Sequence, residues 1–217
     1  MLGLGYAYSQ TDVNSSDREI DVDGHAFFAY AKYQPSKWYV RSMLNYGFAQ
    51  YDENADVAGI SNTAKYNVHN YGARAFVGYD MLNTLTLESG LRYTHVQYDD
   101  YTDIIGQTVK HDDVNVLTAV MGTNYSHAFI TKKGFAFTPS VHVNAIYDLL
   151  DNDTNATVNI ADTVYSIKGE GLDRFGIEAG IGAEIGVGGW NLSAEYDLGV
   201  RNGYISHTGM LKAKYNF

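Results

Sequence analysis

Apolar and polar residues alternate along most of this chain, and this repeat of two constrains the fold more than any other feature. Because successive side chains of a strand point to opposite faces, the repeat predicts strands with one apolar and one polar face. No helical repeat of 3.6 residues persists. We predict ten strands, near residues 2–11, 21–34, 37–51, 64–80, 83–98, 112–130, 134–149, 171–187, 190–201 and 204–217.

The hydrophobic residues never form a run long enough for a membrane-spanning helix, which needs about 18 apolar residues in succession. Mean hydropathy is −0.25, which at first favours a water-soluble protein. A spanning β-strand, however, needs only about 9–11 residues with every second one apolar. The predicted strands satisfy that requirement, so mean hydropathy does not exclude a membrane protein.

The connections between the predicted strands are alternately short and long. The short ones fall at 34–37, 81–83, 131–134 and 188–189, and the long ones at about 11–20, 52–63, 99–111 and 150–170. The last connection, around 201–203, is short but should lie on the long-loop side. Short turns on one side and long loops on the other are typical of an outer-membrane β-barrel. Closure into a barrel satisfies every backbone hydrogen bond within the hydrocarbon, which offers no other partner. The expected fold class is therefore an all-β, transmembrane, up-and-down antiparallel barrel.

Composition supports this architecture and limits the functions. The 217 residues include 19 Tyr, 22 Gly, 2 Pro and no Cys, with a net charge of −10. Tyrosine favours strands, whereas proline is excluded from central ones. The negative charge argues against a nucleic-acid partner. The acids between strands are interpreted as belonging to solvated loops: Asp12, Asp17, Glu19, Asp99, Asp100, Asp103, Asp151 and Asp153.

Two further sets of residues fit a barrel. Aromatic residues near the short turns predict an interfacial girdle made of Trp38, Tyr79, Phe135 and Trp190, with Tyr215 and Phe217 close by. Charges on the polar side of the strands predict a hydrated lumen, because they would be costly toward lipid. The predicted lumen charges are Arg41, Arg74, Glu88, Arg92, Glu178, Glu184, Glu195, Asp197, Lys212 and Lys214.

Several segments resemble the autotransporter β-domain, the translocator barrel of type V secretion. They are 38–40 with 44–47, 87–93, 138–141, 190–196 and the C-terminal stretch 201–217. The final strand ends on Phe217, with Tyr215 two residues before it. This ending resembles the signal read by the barrel-assembly machinery, for which the expected residues are Gly209, Leu211, Tyr215 and Phe217.

The resemblance implies a protein that sits in the outer-membrane lipid as a monomer and helps an N-terminal passenger reach the bacterial cell surface. The implied partners are the passenger with its linker, the barrel-assembly machinery and periplasmic chaperones. The family's barrel usually has twelve strands. We therefore expect residues 1–217 to be one translocator domain that lacks the first two strands, the linker helix and the passenger. The alternative is a natural ten-stranded barrel, since even strand numbers from eight upward occur. No signal peptide is recognisable at Met1.

Other functions have weaker support. A small porin without a passenger is the main alternative, and an outer-membrane protease is a further one. His111-Asp112-Asp113 and Ser206-His207 lie near the predicted rim, but neighbours in a strand face opposite sides and rarely form a catalytic pair. The run 151–155 resembles a calcium loop that lacks its glycine at position 156. We expect no catalytic residue, no metal and no cofactor; His25, His95 and His142 are interpreted as lumen or interface residues.

Overall fold

A computed structural model of the chain describes residues 1–16, 18–57, 60–104, 106–130, 135–150, 154–160, 163–169 and 171–215. None of these residues forms a helix long and apolar enough to cross a membrane. The strands are β1 (Leu2–Asn14), β2 (Arg18–Tyr33), β3 (Trp38–Val57), β4 (Ile60–Leu82), β5 (Leu85–Tyr98), β6 (Tyr101–Thr102), β7 (Thr108–His111), β8 (Val114–Ser126), β9 (Phe129–Ile130), β10 (Ala136–Asp148), β11 (Thr154–Ile160), β12 (Thr163–Gly169), β13 (Phe175–Val187), β14 (Trp190–Arg201) and β15 (Tyr204–Tyr215).

The ten long strands form one antiparallel sheet in chain order. Their order is β1-β2-β3-β4-β5-β8-β10-β13-β14-β15, and the short β9 pairs beside β10. These strands correspond one for one to the ten predicted from the repeat, so the all-β, up-and-down architecture is confirmed. Each hairpin joins two strands that are neighbours in the sheet. The order of the strands therefore follows the sequence, and the alternation of residues decides which face each side chain occupies.

The sheet is strongly curled. Arg92 on β5 donates to Glu178 on β13 at 2.7 and 2.8 Å, although two strands, β8 and β10, lie between them in the sheet. Only a concave surface brings side chains of such distant strands together. We call this concave surface the inner face. The opposite, outer face carries apolar side chains that remain exposed, among them Leu44, Met121 and Ile181.

The two ends of the sheet do not meet. Within the part of the chain that the structure describes, β1 pairs only with β2 and β15 pairs only with β14. Each of these edge strands therefore presents one row of backbone groups that lack a neighbouring strand.

Two of the four predicted long loops are wrong. Within these ranges, residues 11–14, 18–20, 52–57 and 60–63 are strand, so that β1 ends at Asn14 and β3 at Val57. Apolar residues no longer alternate in these segments. The hairpins nevertheless continue, because polar side chains on neighbouring strands pair with each other. Arg18 on β2 donates to Glu53 on β3 at 2.8 Å, and Lys65 pairs with Asp52.

The other two predicted loops contain strands as well. β6 and β7 come from one and β11 and β12 from the other, and they form a separate sheet in the order β12-β11-β7-β6. Residues 131–134, 151–153, 161, 162 and 170, together with Asp17, lie outside the described residues. The predicted short turn at 131–134 and the predicted loop acids Asp151 and Asp153 are among them.

Tyrosine rings attach this second sheet to the first. Tyr66 of β4 stacks on Tyr101 of β6 at 4.6 Å between ring centroids, and on Tyr51 of β3 at 5.1 Å. The interpretation of Asp103 as a solvated acid is wrong. Its side chain is buried, accepting from the Asn62 amide at 2.8 Å and from the backbone N–H of Gln107 at 2.7 Å, so it fixes the β6–β7 turn to the top of β4.

Candidate functional site

The inner face collects charge. The cross-strand register places all ten predicted lumen charges on it and most of the apolar residues of the same strands on the outer face, with Phe76 and Met43 among the inward exceptions. For example, Glu195 and Asp197 of β14 lie between the outward Ala194, Tyr196 and Leu198. The face is therefore suited to water and unsuited to hydrocarbon.

A first cluster links β3 to β5. Arg41 donates from Nε to Glu88 Oε2 at 2.6 Å and makes a second ion-pair contact with Glu88 Oε1. The hydroxyl of Tyr39 donates to the same carboxylate at 2.7 Å. The guanidinium group of Arg41 also lies 4.4 Å from the ring centroid of Phe76 on the intervening β4. Cation–π contact and the bidentate ion pair together fix the arginine over the inner wall.

A second cluster crosses the concave face. Arg92 and Glu178 form a two-pronged ion pair that spans from β5 to β13. Arg74 lies beside them on β4, directly opposite Arg92 in the register, and is exposed. Arg41, Arg74 and Arg92 line a cavity of about 340 Å³, which Lys32 and Phe76 also line. This part of the inner wall is therefore cationic, and the guanidinium of Arg74 faces open space.

Glycines on β13 allow side chains of β14 to reach β10. A Cβ on Gly180 would lie 2.2 Å from Asp197 Oδ1 and 2.4 Å from His142 Cε1, and one on Gly176 would lie 2.8 Å from Arg201 Cγ. No real Cβ tolerates such contacts. The inner side of β13 is thus a glycine floor, across which pairs of side chains from the flanking strands lie.

One of these pairs was not predicted from sequence. Arg201 at the end of β14 donates to both Asp148 carboxylate oxygens, at 2.5 and 3.3 Å, and Thr118 donates to Asp148 at 2.7 Å. Asp148 is 1 % exposed and is the largest fully buried side chain among the described residues. Asp148 and Arg201 both occupy positions of the alternating pattern that face the polar side of their strands. This position in the pattern was the signal available in the sequence.

The other pair joins His142 and Asp197, at 3.0 Å between Nε2 and Oδ1. Glu195 lies beside them and accepts from Lys212 at 2.9 Å. His142, Glu195 and Asp197 form the one group of metal-ligating side chains that the described residues bring together, with ligand atoms within 4.8 Å of one another. Lys214 and Glu184, two other predicted lumen charges, are exposed on the same face.

The outer face carries two aromatic belts. Near the short turns, Trp38 contacts Tyr79 at 4.6 Å and Trp190 contacts Tyr215 at 5.0 Å between ring centroids. Phe135 lies just before β10 and is exposed. All of these residues except Tyr215 are in the predicted girdle.

A second belt, which lies farther along the strands from the short turns, was not predicted. It consists of tyrosine–histidine pairs on adjacent strands: the Tyr6 hydroxyl lies 2.8 Å from His25 Nδ1, that of Tyr46 3.0 Å from His69 Nδ1, and that of Tyr196 2.6 Å from His207 Nδ1. In each pair the histidine and the tyrosine lie on adjacent strands. The pairing could not be recognised from the sequence, because it depends on the register between the two strands.

The spacing of the two belts is close to that of a bilayer. On β4, Tyr79 of the first belt and His69 of the second are ten positions apart, and on β15 Tyr215 and His207 are eight positions apart. At about 3.4 Å per residue these spacings are roughly 34 and 27 Å along the strand. With the tilt of about 40° usual in such barrels, the heights are about 26 and 21 Å, near the apolar band of about 25 Å in outer-membrane barrels.

The C-terminal strand presents its predicted assembly residues outward. In the register, Tyr215 lies opposite Trp190 and Leu211 lies opposite Ala194, both of which face outward. Gly209 is on the same side of β15, and Leu211 is 84 % exposed. Phe217 lies outside the described residues. A Cβ on Gly209 would meet nothing within 4 Å, so no packing contact in the described structure requires glycine there.

The candidate chemical sites do not assemble. Ser206 and His207 face opposite sides of β15, and His207 is bonded to Tyr196 on the outer face. His111 packs among Tyr66, Tyr98 and Tyr101, and this burial lowers the pKa of its imidazole. His95 Nε2 lies 3.8 Å from Asp113 at the rim. The calcium-like run begins at residues 151–153, outside the described residues.

Comparison with known proteins agrees with this geometry. The family model described as "Autotransporter beta-domain" matches residues 1–197. The translocator domain of the autotransporter NalP from Neisseria meningitidis superposes with a TM-score of 0.78 at 20 % identity, covering 100 % of this chain and 74 % of that one. At this identity the likeness concerns the fold.

Two further structures align less closely. The transport unit of AIDA-I from Escherichia coli gives a TM-score of 0.46 at 13 % identity, covering 100 % of this chain and 89 % of that one. The beta domain of Bordetella BrkA gives 0.35 at 16 % identity, covering 100 % and 98 %. No curated protein sequence gives a significant match.

Proposed function

This chain belongs to the autotransporter beta-domain family, and we propose that its inner face guides the passenger segment that the family's barrels help to the cell surface. It is accordingly an outer-membrane β-barrel protein that anchors and translocates an N-terminal passenger. The observation that carries the proposal is the contrast between the two faces. An apolar outer face bounded by aromatic belts suits lipid, while a charged, curled inner face suits a polar polypeptide.

The cationic part of the wall supports a specific contact with the linker. Arg41 and Arg92 are already paired with Glu88 and Glu178, but Arg74 has space in front of it in the 340 Å³ cavity. A linker helix with an acidic side chain at this height would complete the local charge balance. The passenger and its linker are therefore the proposed occupants of the lumen.

The open edges support a domain that is larger than residues 1–217. Closing a lumen requires partners for the free sides of β1 and β15. Two further strands, placed before β1, would join these edges and give the twelve strands usual in the family.

We also propose partners in biogenesis. Gly209, Leu211 and Tyr215 present an outward stripe on the last strand, and Phe217 continues its parity. Such a stripe suits recognition by the barrel-assembly machinery after delivery by periplasmic chaperones. The barrel is proposed to act as a monomer and to perform no chemistry of its own, since the family is one of transport barrels rather than of enzymes.

The test uses the full-length protein with an epitope tag in its passenger. Antibody binding to intact cells measures surface display, and resistance of the unheated barrel to SDS measures folding separately. We expect display to fall when Arg74 is changed to Glu while the barrel stays folded. Thr208→Glu provides a matched control, because it adds an acid to the same face on β15, which five strands separate from β4 in the sheet, and Thr208 does not line the cavity in front of Arg74.

Two outcomes would contradict the proposal. A folded wild-type barrel in the outer membrane that never displays its tag would contradict translocation. Equal display by the Arg74 and Thr208 variants would contradict a role for the cationic wall while leaving translocation itself intact.

A further inference from the structure

The group formed by His142, Glu195 and Asp197 combines side chains from two strands that are not adjacent in the sheet. His142 comes from β10, and the two acids come from β14, with β13 between them. Their ligand atoms nevertheless lie within 4.8 Å of one another, and His142 Nε2 is 3.0 Å from Asp197 Oδ1. Two strands that are not neighbours therefore contribute to one cluster on the inner face.

A glycine makes this convergence possible. A Cβ at Gly180 would lie 2.2 Å from Asp197 Oδ1 and 2.8 Å from His142 Nε2, so any other residue would push the two side chains apart. At Gly182, the next inward position on β13, a Cβ would meet Glu195 Cγ at an ordinary contact distance of 3.8 Å, so Gly180 is the glycine on which the convergence depends. The backbone of β13 forms the floor of a cradle.

One ligand atom in the cradle lacks a hydrogen bond. Asp197 Oδ1 is buried, although the side chain as a whole is 32 % exposed, and it accepts no hydrogen bond from the described residues. Its 3.0 Å approach to His142 Nε2 is an ion-pair contact without hydrogen-bond geometry. A buried carboxylate oxygen that lacks a hydrogen bond is costly, and coordination of a cation is one of the ways in which such a group is satisfied.

We propose that His142, Glu195 and Asp197 bind one divalent transition-metal ion, with Zn²⁺ the best fit. Zinc accepts imidazole nitrogen at about 2.0–2.1 Å and carboxylate oxygen at about 2.0–2.2 Å, which places tetrahedral ligands roughly 3.4 Å apart. The imidazole favours such an ion over Ca²⁺ or Mg²⁺, which prefer oxygen ligands alone. The open side of the cradle faces the lumen, where water completes the coordination.

Lys212 orients one of the ligands. Its Nζ donates to Glu195 Oε2 at 2.9 Å, which leaves the second carboxylate oxygen to the ion. Outer-shell hydrogen bonds of this kind fix the direction of a ligating group. The bound ion joins β10 to β14 across β13, and so it stiffens the glycine-rich part of the wall.

The test is titration of the full-length protein in detergent with Co²⁺, a spectroscopic stand-in for Zn²⁺. We expect visible d–d absorption that saturates at one Co²⁺ per chain and disappears when Zn²⁺ is added. His142→Ala and Asp197→Asn should lose this absorption. His207→Ala should keep it, because His207 faces outward and is bonded to Tyr196.

A steric variant tests the cradle without removing a ligand. Gly180→Ala should abolish saturable Co²⁺ binding, whereas Gly47→Ala should not, since a Cβ there meets its nearest atom at 3.4 Å. Heat-dependent mobility in SDS shows whether each variant is folded. Unchanged absorption in the folded His142, Asp197 or Gly180 variants overturns the proposal, as does the absence of saturable absorption in the wild type.

If these variants fail to fold, the wild-type protein decides alone. X-ray absorption of its Zn²⁺-loaded form should show one imidazole in a shell of nitrogen and oxygen atoms. Two or more imidazoles, or none, would place the ion elsewhere and overturn the proposal.

Discussion

Changing Arg201 to Met should destabilise the barrel far more than breaking an ion pair on the exposed part of the same face. The side chain of Arg201 is 13 % exposed and that of Asp148 is 1 % exposed, so the carboxylate stays buried after its arginine has gone. Removing one partner of a buried pair typically costs about 3–5 kcal/mol. Part of the loss is the contact of Arg201 with the Asp173 carbonyl, at 2.7 Å.

The matched control is Lys212→Met, which breaks the pair with Glu195. There the two side chains are 54 % and 32 % exposed, and such pairs contribute about 0.2–1 kcal/mol. The free energy of unfolding would be measured by urea titration of the full-length protein in lipid vesicles. The folded fraction is read from the mobility of the unheated barrel in SDS gels.

A double-mutant cycle separates the pair from its surroundings. Asp148→Leu combined with Arg201→Met removes both charges, and we expect the double variant to be more stable than the sum of the single losses by at least about 1.5 kcal/mol. A loss below about 1 kcal/mol for Arg201→Met, or one equal to that of Lys212→Met, would refute the reasoning that this pair is a buried structural contact.

Three further outcomes are expected. Ile181→Arg, on the outer face in the middle of β13, should cost about 2–4 kcal/mol in the same urea assay, whereas Thr208→Arg on the inner face should cost little; equal losses would contradict the assignment of the two faces. Deleting Phe217 should reduce the amount of folded barrel in the outer membrane, whereas Phe217→Tyr, which keeps an aromatic residue there, should leave that amount close to the wild-type level. An unchanged amount of folded barrel after the deletion would exclude a role for Phe217 in assembly. The pKa of His111 should lie below the ordinary histidine value of about 6.5, because burial favours the neutral imidazole. The contribution of His111 to the stability of the second sheet is therefore fully present above pH ~6.5 and is lost as the pH falls through the lowered pKa. An NMR titration of the His111 ring that gives a pKa at or above about 6.5 would contradict this.

Strand order and the two faces could be predicted from sequence because both depend on local alternation. Phe175 to Val187 repeats apolar and polar or glycine residues without a break, and this repeat fixes which side meets lipid. Where the strands leave the hydrocarbon, the signal disappears. β3 continues through Asp52 and Glu53 to Val57, and no apolar repeat marks this extension.

The contents of the inner face were predictable only in part. Parity placed Glu178 and Arg92 on the polar face, but not their pairing, because strand curvature brings together residues that are 86 positions apart. His142 showed no ligand spacing along the chain for a similar reason. Its neighbours Glu195 and Asp197 come from another strand, and they meet it only because Gly180 leaves room.

The two aromatic belts have a mechanical consequence. A polypeptide that moves through the lumen drags on the inner wall, and the reaction force pushes the whole barrel along the membrane normal. Displacement toward the long-loop side would draw the Trp38 and Trp190 rings from the headgroup layer into hydrocarbon, and displacement toward the short-turn side would draw the imidazoles of His25 and His69 into hydrocarbon. Both displacements cost free energy. The two belts therefore hold the barrel at a fixed depth in the membrane while the polypeptide moves through it.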